Sequence, residues 1–338
     1  MINKATRVQA SVNKPRFVSA GGSALALIAG NKTARVVVRF TNSAYIECNG
    51  QFVCVVLHAL GAGPISLQFN QSTLNLPACF TAGATVRSNK GQLVVGECSS
   101  FEYALATVFH ETIQPAAVNR NHIVRVIHEL AMQTLPHDGL ACLLRLNVFG
   151  HKPTSSLAVQ LMPAIECLLG QLDQRRARGI KERFYTQSWQ QIIGAGPGLT
   201  PSGDDFMCGV FTALYLQGLG QEASAIYGEL QPEITHLTTP VSIALLKQAS
   251  AGNIAESSLK ILSTVVSSDQ FNAEDVAAKL ECIGHTSGWD WLCGVLLGLD
   301  ALCADVVHCN TDVAEVSPCT GSTSRISSHD GVVYQNTE

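Results

Sequence analysis

Short runs of β-forming residues, set apart by turn-forming ones, fill the first hundred positions of the chain. Arg35–Phe40 and Phe52–Leu57 are two such runs. Asn49-Gly50 between them suits a tight hairpin turn, because both residues tolerate positive φ. Ile65–Phe69 alternates apolar and polar side chains, which predicts a strand with one buried face. Near residue 98 the apolar spacing lengthens to the helical period. Helices are predicted over Phe101–His110, Asn119–Gln133, Gly139–Val148, Ser155–Leu172 and Glu182–Ile193, then over Phe206–Leu219. Further helices follow over Glu222–Leu230, Pro240–Ala251, Ile254–Val266, Ala273–Cys282 and Ser287–Val307. The expectation is an α+β protein: a β-rich domain over 1–98, a larger α-helical domain over 99–309 packed as an antiparallel array, and a flexible tail over 310–338.

Two of the helices begin alike. From Ser202 the chain reads Ser-Gly-Asp-Asp-Phe-Met-Cys-Gly-Val-Phe-Thr-Ala-Leu, and from Ser287 it reads Ser-Gly-Trp-Asp-Trp-Leu-Cys-Gly-Val-Leu-Leu-Gly-Leu. Seven of the thirteen positions agree at one fixed offset, which marks an internal repeat or convergence on one task. Gly209 with Ala213, and Gly294 with Gly298, place small residues on one helix face, where two backbones can approach closely. The two helices are therefore expected to pack on each other with their N-termini near one site.

A glycine-rich loop, Gly194-Ala195-Gly196-Pro197-Gly198-Leu199-Thr200-Pro201, leads into the first copy. Glycine opens backbone conformations closed to other residues, and proline fixes them. Ser202 is read as the N-cap, with Asp205 as the carboxylate of a capping box, which leaves Asp204 as the freer acid. The loop has neither the Gly-Lys-Ser/Thr ending of a nucleotide-binding loop nor a dinucleotide fingerprint. Gly61-Ala62-Gly63-Pro64 repeats its Gly-Ala-Gly-Pro, and is read as a simple turn.

Composition narrows the class. Charged residues make up 14% of the 338, against about 25% in an ordinary soluble domain, so an oligomer or a larger complex is expected. Net charge is −4 with no basic stripe, which argues against a nucleic-acid partner. No apolar run is long enough to span a membrane. There is no signal-peptide pattern at the N-terminus. The twelve cysteines contain no Cys-x-x-Cys pair, as in a reduced cytoplasmic enzyme.

The candidate chemistry gathers at helix starts, whose free amides suit an anion. Gly196, Gly198, Thr200, Ser202, Gly203 and Asp205 form the first such group. Asp204 and Asp205 would hold a cation such as Mg²⁺ beside a phosphate, or accept from N–H donors of a substrate. Thr239 and Ser242 follow at a third helix start, where Thr239 caps and Pro240 is the first helical residue. His285, Thr286, Ser287, Gly288 and Asp290 make up the last. A histidine just before a helix N-terminus is biased towards its neutral form. Asp204, His285 and Asp290 are the catalytic candidates, and the remainder are candidates for binding substrate or phosphate.

Three motifs occur in order: Gly-x-Gly-Pro-Gly-Leu-Thr-Pro-Ser-Gly-Asp-Asp, Thr-Thr-Pro-x-Ser with Leu245-Leu246, and Gly-His-Thr-Ser-Gly-Trp-Asp. Together they resemble the AllH-like family, over roughly residues 30 to 306. The resemblance implies a subunit of an oxamate carbamoyltransferase of allantoin (purine) degradation, a carbamoyltransferase that uses phosphate to split oxalurate into oxamate and carbamoyl phosphate. It implies partner subunits, a small anionic substrate and phosphate. A non-catalytic subunit of that complex, and a stand-alone phosphate-dependent enzyme on another small substrate, are the alternatives. The motifs contain no arginine clamp. Arg120, Arg125 and Arg145, or another subunit, are the sources considered. Ser322-Thr323-Ser324-Arg325 resembles a phosphate-binding stretch of other carbamoyltransferases, but no strand precedes it and no helical run follows.

Overall fold

A computed structural model describes residues 15–30, 33–71, 73–97, 99–178, 186–267 and 271–303. The tail expected over 310–338, with its Ser322–Arg325 segment, lies outside the described residues. The fold is α+β, with a nine-stranded sheet over residues 17–109 followed by helices.

The sheet comprises β1 (Phe17–Gly21), β2 (Ala34–Arg39), β3 (Ser43–Cys48), β4 (Gln51–Val56), β5 (Ser66–Phe69), β6 (Thr85–Asn89), β7 (Gln92–Val95), β8 (Ser99–Glu102) and β9 (Thr107–Phe109). Their order is β8-β7-β6-β2-β3-β4-β5-β1-β9. The β4–β5 and β1–β9 pairs are parallel, and the other neighbours are antiparallel. Asn49 and Gly50 turn the β3–β4 hairpin with φ of 52° and 76°, as their sequence predicts. Helix α1 (Gly22–Gly30) follows β1 and buries Ala24 and Ile28 in the same core as the sheet.

Two expectations fail here, for reasons of tertiary contact. β5 is buried on both faces. Leu67 and Phe69 join an aromatic core in which the Phe17 and Phe69 rings stack at 4.4 Å and Phe69 meets Phe101 edge-on at 5.3 Å. Ser66 and Gln68, on the other face, lie under the chain between His58 and Gly63. The Ser66 hydroxyl donates to the Gly63 carbonyl at 3.1 Å, and the Gln68 side-chain amide donates to the His58 carbonyl at 3.2 Å. The segment 101–110 is not a helix. Phe101 pairs with Leu93 in the sheet and points into the aromatic core, and Thr107–Phe109 adds an edge strand beside β1. Long-range pairing overrides its local helical spacing.

The remaining helices are α2 (Arg120–Ala131), α3 (Leu143–Phe149), α4 (Ser156–Arg178), α5 (Thr186–Ile192), α6 (Ser202–Leu216), α7 (Gly220–Leu230), α8 (Ile234–Leu237), α9 (Pro240–Ala249), α10 (Glu256–Val266), α11 (Ala273–Ile283) and α12 (Ser287–Cys303). Asn119 and Asn272 cap α2 and α11 by accepting from the His122 and Asp275 amides at 3.3 and 2.9 Å. α6 and α12 are buried almost all round, which marks them as the centre of the helical array. They pack against each other, and α9, α2, α4 and α11 surround them. A Cβ on Gly209 would land on the Trp291 carbonyl oxygen, and one on Gly294 would land on the Phe206 carbonyl oxygen. The Gly298 side of the contact meets Ala213. The small residues are there because the two backbones touch. Among the described residues, no helix is long and apolar enough to cross a membrane.

Candidate functional site

The glycine loop is held from three sides. Gly194, Gly196 and Gly198 have φ of 76°, 113° and 99°, which side-chain-bearing residues rarely adopt. Backbone also presses on it. A Cβ at Gly194 would strike the Leu237 carbonyl, and one at Gly203 the Ile192 carbonyl. The Leu199 carbonyl accepts from the Thr239 hydroxyl at 2.5 Å and from the Ser242 hydroxyl at 3.3 Å. Thr239 also caps α9 through the Ser242 amide, at 3.1 Å, as expected of it. These two hydroxyls, read from the sequence as ligand groups, fasten the loop to α9.

The roles of the two neighbouring acids are the reverse of those expected. Asp204 is 1% exposed; its Oδ1 accepts from the Gly194 amide at 2.8 Å and its Oδ2 from the Thr238 hydroxyl. It ties the loop to the α8–α9 turn. Burial raises its pKa, and those two bonds, with the Ser242 hydroxyl, oppose the rise. Ser202 is not the cap. Pro201 holds that position without a side-chain bond, and Ser202 is the first helical residue. The Gly203 amide donates to the Ala195 carbonyl at 2.9 Å, and the Asp204 and Asp205 amides donate to the Pro201 carbonyl at 2.9 and 3.1 Å. The Pro201 carbonyl takes the Asp205 amide that the Ser202 hydroxyl would have served in a capping box, and no side-chain bond caps the helix.

At the second copy, Asp290 is fully buried. Its Oδ1 accepts from the Leu140 amide at 2.6 Å, while Oδ2 has no hydrogen-bond partner. Gly139, at φ 76°, presses against the carboxylate: a Cβ there would sit 2.6 and 2.9 Å from the two oxygens. Burial lifts the Asp290 pKa to about 6, opposed by the Leu140 amide, the Ser202 and Thr286 hydroxyls and the His285 charge. His285 is exposed and Thr286 half-buried.

Between the sheet and the helices lies a cavity of about 720 Å³. Its floor carries Asp205, Cys208, Ser287, Gly288 and Trp291, and β3 and β4 contribute Tyr45 and Cys54 to a wall. Asp205 Oδ2 is buried without a hydrogen-bond partner. The Thr200 hydroxyl stands 3.0 Å from that of Ser287, so the two helix starts meet beside this acid. Burial holds the Asp205 pKa well above the usual carboxylate range; the Ser287 hydroxyl opposes this, Asp290 and Asp204 add to it, and Thr200 opposes it. Across the cavity, the neighbouring Cys54, then burial, and lastly the charge of Asp205 push Tyr45 up.

Gly61-Ala62-Gly63-Pro64 is a wall of this cavity, and it leads into a turn closed by the Ser66 amide on the Gly63 carbonyl at 3.1 Å. The Ala62 carbonyl accepts from the Glu256 amide at 2.8 Å, and the Ala62 amide donates to Glu256 Oε2 at 3.1 Å. Lys260 pairs with Glu256 at 2.6 Å, and that bond is the main cause of the lowered Glu256 pKa. The recurrence of Gly-Ala-Gly-Pro was the one sequence signal for this wall. Tyr45, Cys54 and Lys279 left no signal.

Of the predicted site residues, the structure brings Asp205, Ser287 and Gly288 to the cavity, with Thr200 bonded to Ser287. Asp204, Asp290, His285, Thr286, Thr239, Ser242, Ser202, Gly203, Gly196 and Gly198 do not line it. Nor do the three arginines. Arg120 pairs with Asp300 at 3.1 Å, Arg125 lies 3.7 Å from Glu129, and Arg145 holds the Ala131 and Gln133 carbonyls at 2.9 and 2.8 Å. Among the described residues, no group of three or more His, Cys, Asp or Glu side chains is placed to hold a metal ion.

A partly apolar cavity of this volume, with a few convergent polar groups on its floor, has the make-up of a small-molecule site in an α+β protein. Over residues 192–299, the chain matches the model of a family described as oxamate carbamoyltransferase subunit AllH. That stretch holds all three motifs and most of the cavity floor, and it indicates an oxamate carbamoyltransferase subunit, a name that implies further subunits. No solved structure matches the chain.

Proposed function

We propose that this chain takes part in the phosphorolysis of oxalurate to oxamate and carbamoyl phosphate in allantoin degradation, as one subunit of an oxamate carbamoyltransferase, and that the cavity floored by Asp205 binds the carbamoyl-bearing substrate. The observation that carries the site is the set of polar groups on the cavity floor, Asp205 with Ser287 and Cys208, where the Thr200 hydroxyl stands 3.0 Å from that of Ser287. The activity rests on the family match over residues 192–299.

Lys260 and Lys279 line the cavity, each paired at 2.6 Å with an acid one turn earlier, Glu256 and Asp275. No arginine lies among its described lining residues. That observation favours a division of labour in which another subunit meets the phosphate. Oxalurate and phosphate are to be given to the purified chain alone and to the chain with its genomic partners, and carbamoyl phosphate measured. Turnover is expected in the complex and not in the isolated chain. An assembled complex that forms no carbamoyl phosphate contradicts the reading.

A further inference from the structure

The sheet and the helices have separate cores. Phe17, Leu67 and Phe101 belong to the first, and Ile127, Phe206 and Trp289 belong to the second. The chain passes from one to the other through residues 110–119, an irregular stretch in which 114–117 are exposed. Two bodies with a core each and one irregular connection move relative to each other unless a large apolar contact prevents it.

The hydrogen bonds between the two bodies gather on one strip, from the end of α9 to the first residue of α10. The Gln248 side-chain amide donates to the Ser23 hydroxyl at 2.9 Å. The Ile113 amide donates to the Gly252 carbonyl at 2.8 Å, and the Thr112 hydroxyl to the Asn253 side-chain carbonyl at 3.0 Å. Glu256 completes the strip with its two bonds to Ala62. The other side of the cavity is different. Lys279, Cys282 and Ile283 of α11 line it, and Ala59 and Leu60 line it from the sheet side. Among the described residues, no hydrogen bond joins α11 to the sheet.

We infer that the cavity is a hinged cleft: it closes on its ligand as the sheet rocks against the helices about the strip from Gln248 to Glu256, carrying Tyr45 and Cys54 towards Asp205 and Ser287. This rests on the small-molecule reading of the cavity given above. Its volume fits the motion. About 720 Å³ is room for a drug-sized molecule, far more than oxalurate fills. A small substrate held in so large a space stays wet and loosely placed. Closure of one wall removes the surplus volume, expels water and brings the polar groups of both bodies onto the ligand. A cleft bonded along one edge and unbonded along the facing edge has the construction of a hinge.

Spin labels carried on azido amino acids report this motion by dipolar spectroscopy in the full chain within its complex. One pair is placed at Ala59 and Lys279, exposed residues that line the cavity from the sheet side and from α11. A second pair is placed at Ala26 and Lys247, exposed residues of α1 and α9 near the Ser23–Gln248 bond. Saturating oxalurate with phosphate is expected to shorten the first distance by more than about 2 Å and to leave the second within about 1 Å. A first distance that holds still while calorimetry on the same preparation records binding overturns the hinge and leaves the proposed function standing. Equal changes in both pairs also overturn it, because the strip then moves with the rest. If no binding heat is recorded, the substrate reading fails, and the hinge is judged on the free complex. There, a first pair with a wider spread of distances than the second supports it, and equal spreads overturn it.

Discussion

The starts of α6 and α12 share a sequence and differ in use. Both place an aspartate three residues after the opening serine, and both bury an unpartnered carboxyl oxygen. At α12 the protein's own backbone occupies the position before the acid; at α6 the position opens on a cavity. A repeated motif thus yields one structural copy and one copy free to meet a ligand. The lesson is that a motif fixes a local geometry, and what packs against it decides whether that geometry serves the fold or a substrate. The tie at Asp204 shows the same thing within one turn of helix: of two adjacent aspartates, one fastens a loop and the other faces the cavity.

The strongest way to break the comparison is to separate the two helices. Gly209→Leu or Gly294→Leu would drive a side chain into a backbone carbonyl that cannot move without shifting the partner helix. The cost should exceed the roughly 1–3 kcal/mol of ordinary overpacking. The expected result is loss of soluble protein, read from expression yield, with no melting transition in any residue that is recovered.

Next in size is Asp204→Ala. It strips the Gly194 amide and the Thr238 hydroxyl of their acceptor, at about 1–3 kcal/mol for each buried group left unpaired. A large fall in the urea midpoint is expected, together with loosening of the glycine loop in hydrogen exchange. A variant as stable as the wild type would show that the loop is held without this carboxylate.

The plugged copy predicts a pH effect of somewhat smaller size. Asp290 holds its proton more tightly in the folded chain than in the unfolded one, because burial lifts its pKa to about 6. Its contribution to stability is therefore present below the usual carboxylate range and is lost as pH rises through about 6. A shift of that size corresponds to at most about 3 kcal/mol. Asp290→Asn keeps an acceptor for the Leu140 amide and removes the titration. It should flatten the fall in stability between about pH 4 and pH 7 in urea unfolding, where an unchanged slope would count against the assignment.

The smallest effect expected on the fold is that of Tyr45→Phe. The ring stays and the hydroxyl leaves, so stability should change by no more than about 1 kcal/mol. Ligand affinity at the Asp205 cavity should fall measurably in calorimetry, which would sharpen the contrast with the closed copy. Unaltered affinity would remove Tyr45 from the site.

Much of the helical half was legible in the sequence because its signals are local. Asn119, Asn272 and Thr239 cap where a cap residue stands before an apolar period, and the shared small residues at Gly209 and Gly294 foretold the helix contact. The sheet was legible at Asn49-Gly50 for the same reason. Long-range partners were not legible. Phe101 reads as helical until Leu93 and the aromatic core claim it. Ser66 and Gln68 read as a wet face until the 58–63 segment covers them. The site was half legible: the motifs located Asp205 and Ser287, but spacing alone cannot tell which of two adjacent acids a distant hydroxyl, Thr238, will bind. Tyr45 and Cys54 reach the cavity because β4 packs against α9, a contact no motif in either segment announces.

Turnover in the assembled complex is the most direct test of whether the open copy is where the chemistry takes place. Phosphorolysis of oxalurate is to be measured for the wild type, Asp205→Asn and Asp290→Asn, with folding checked by circular dichroism. Asp205→Asn is expected to lower kcat/KM by about 10² or more while the fold persists, and Asp290→Asn to stay within about threefold of the wild type. Full activity in a folded Asp205→Asn, or an equal loss in both variants, would contradict the division between an open and a closed copy.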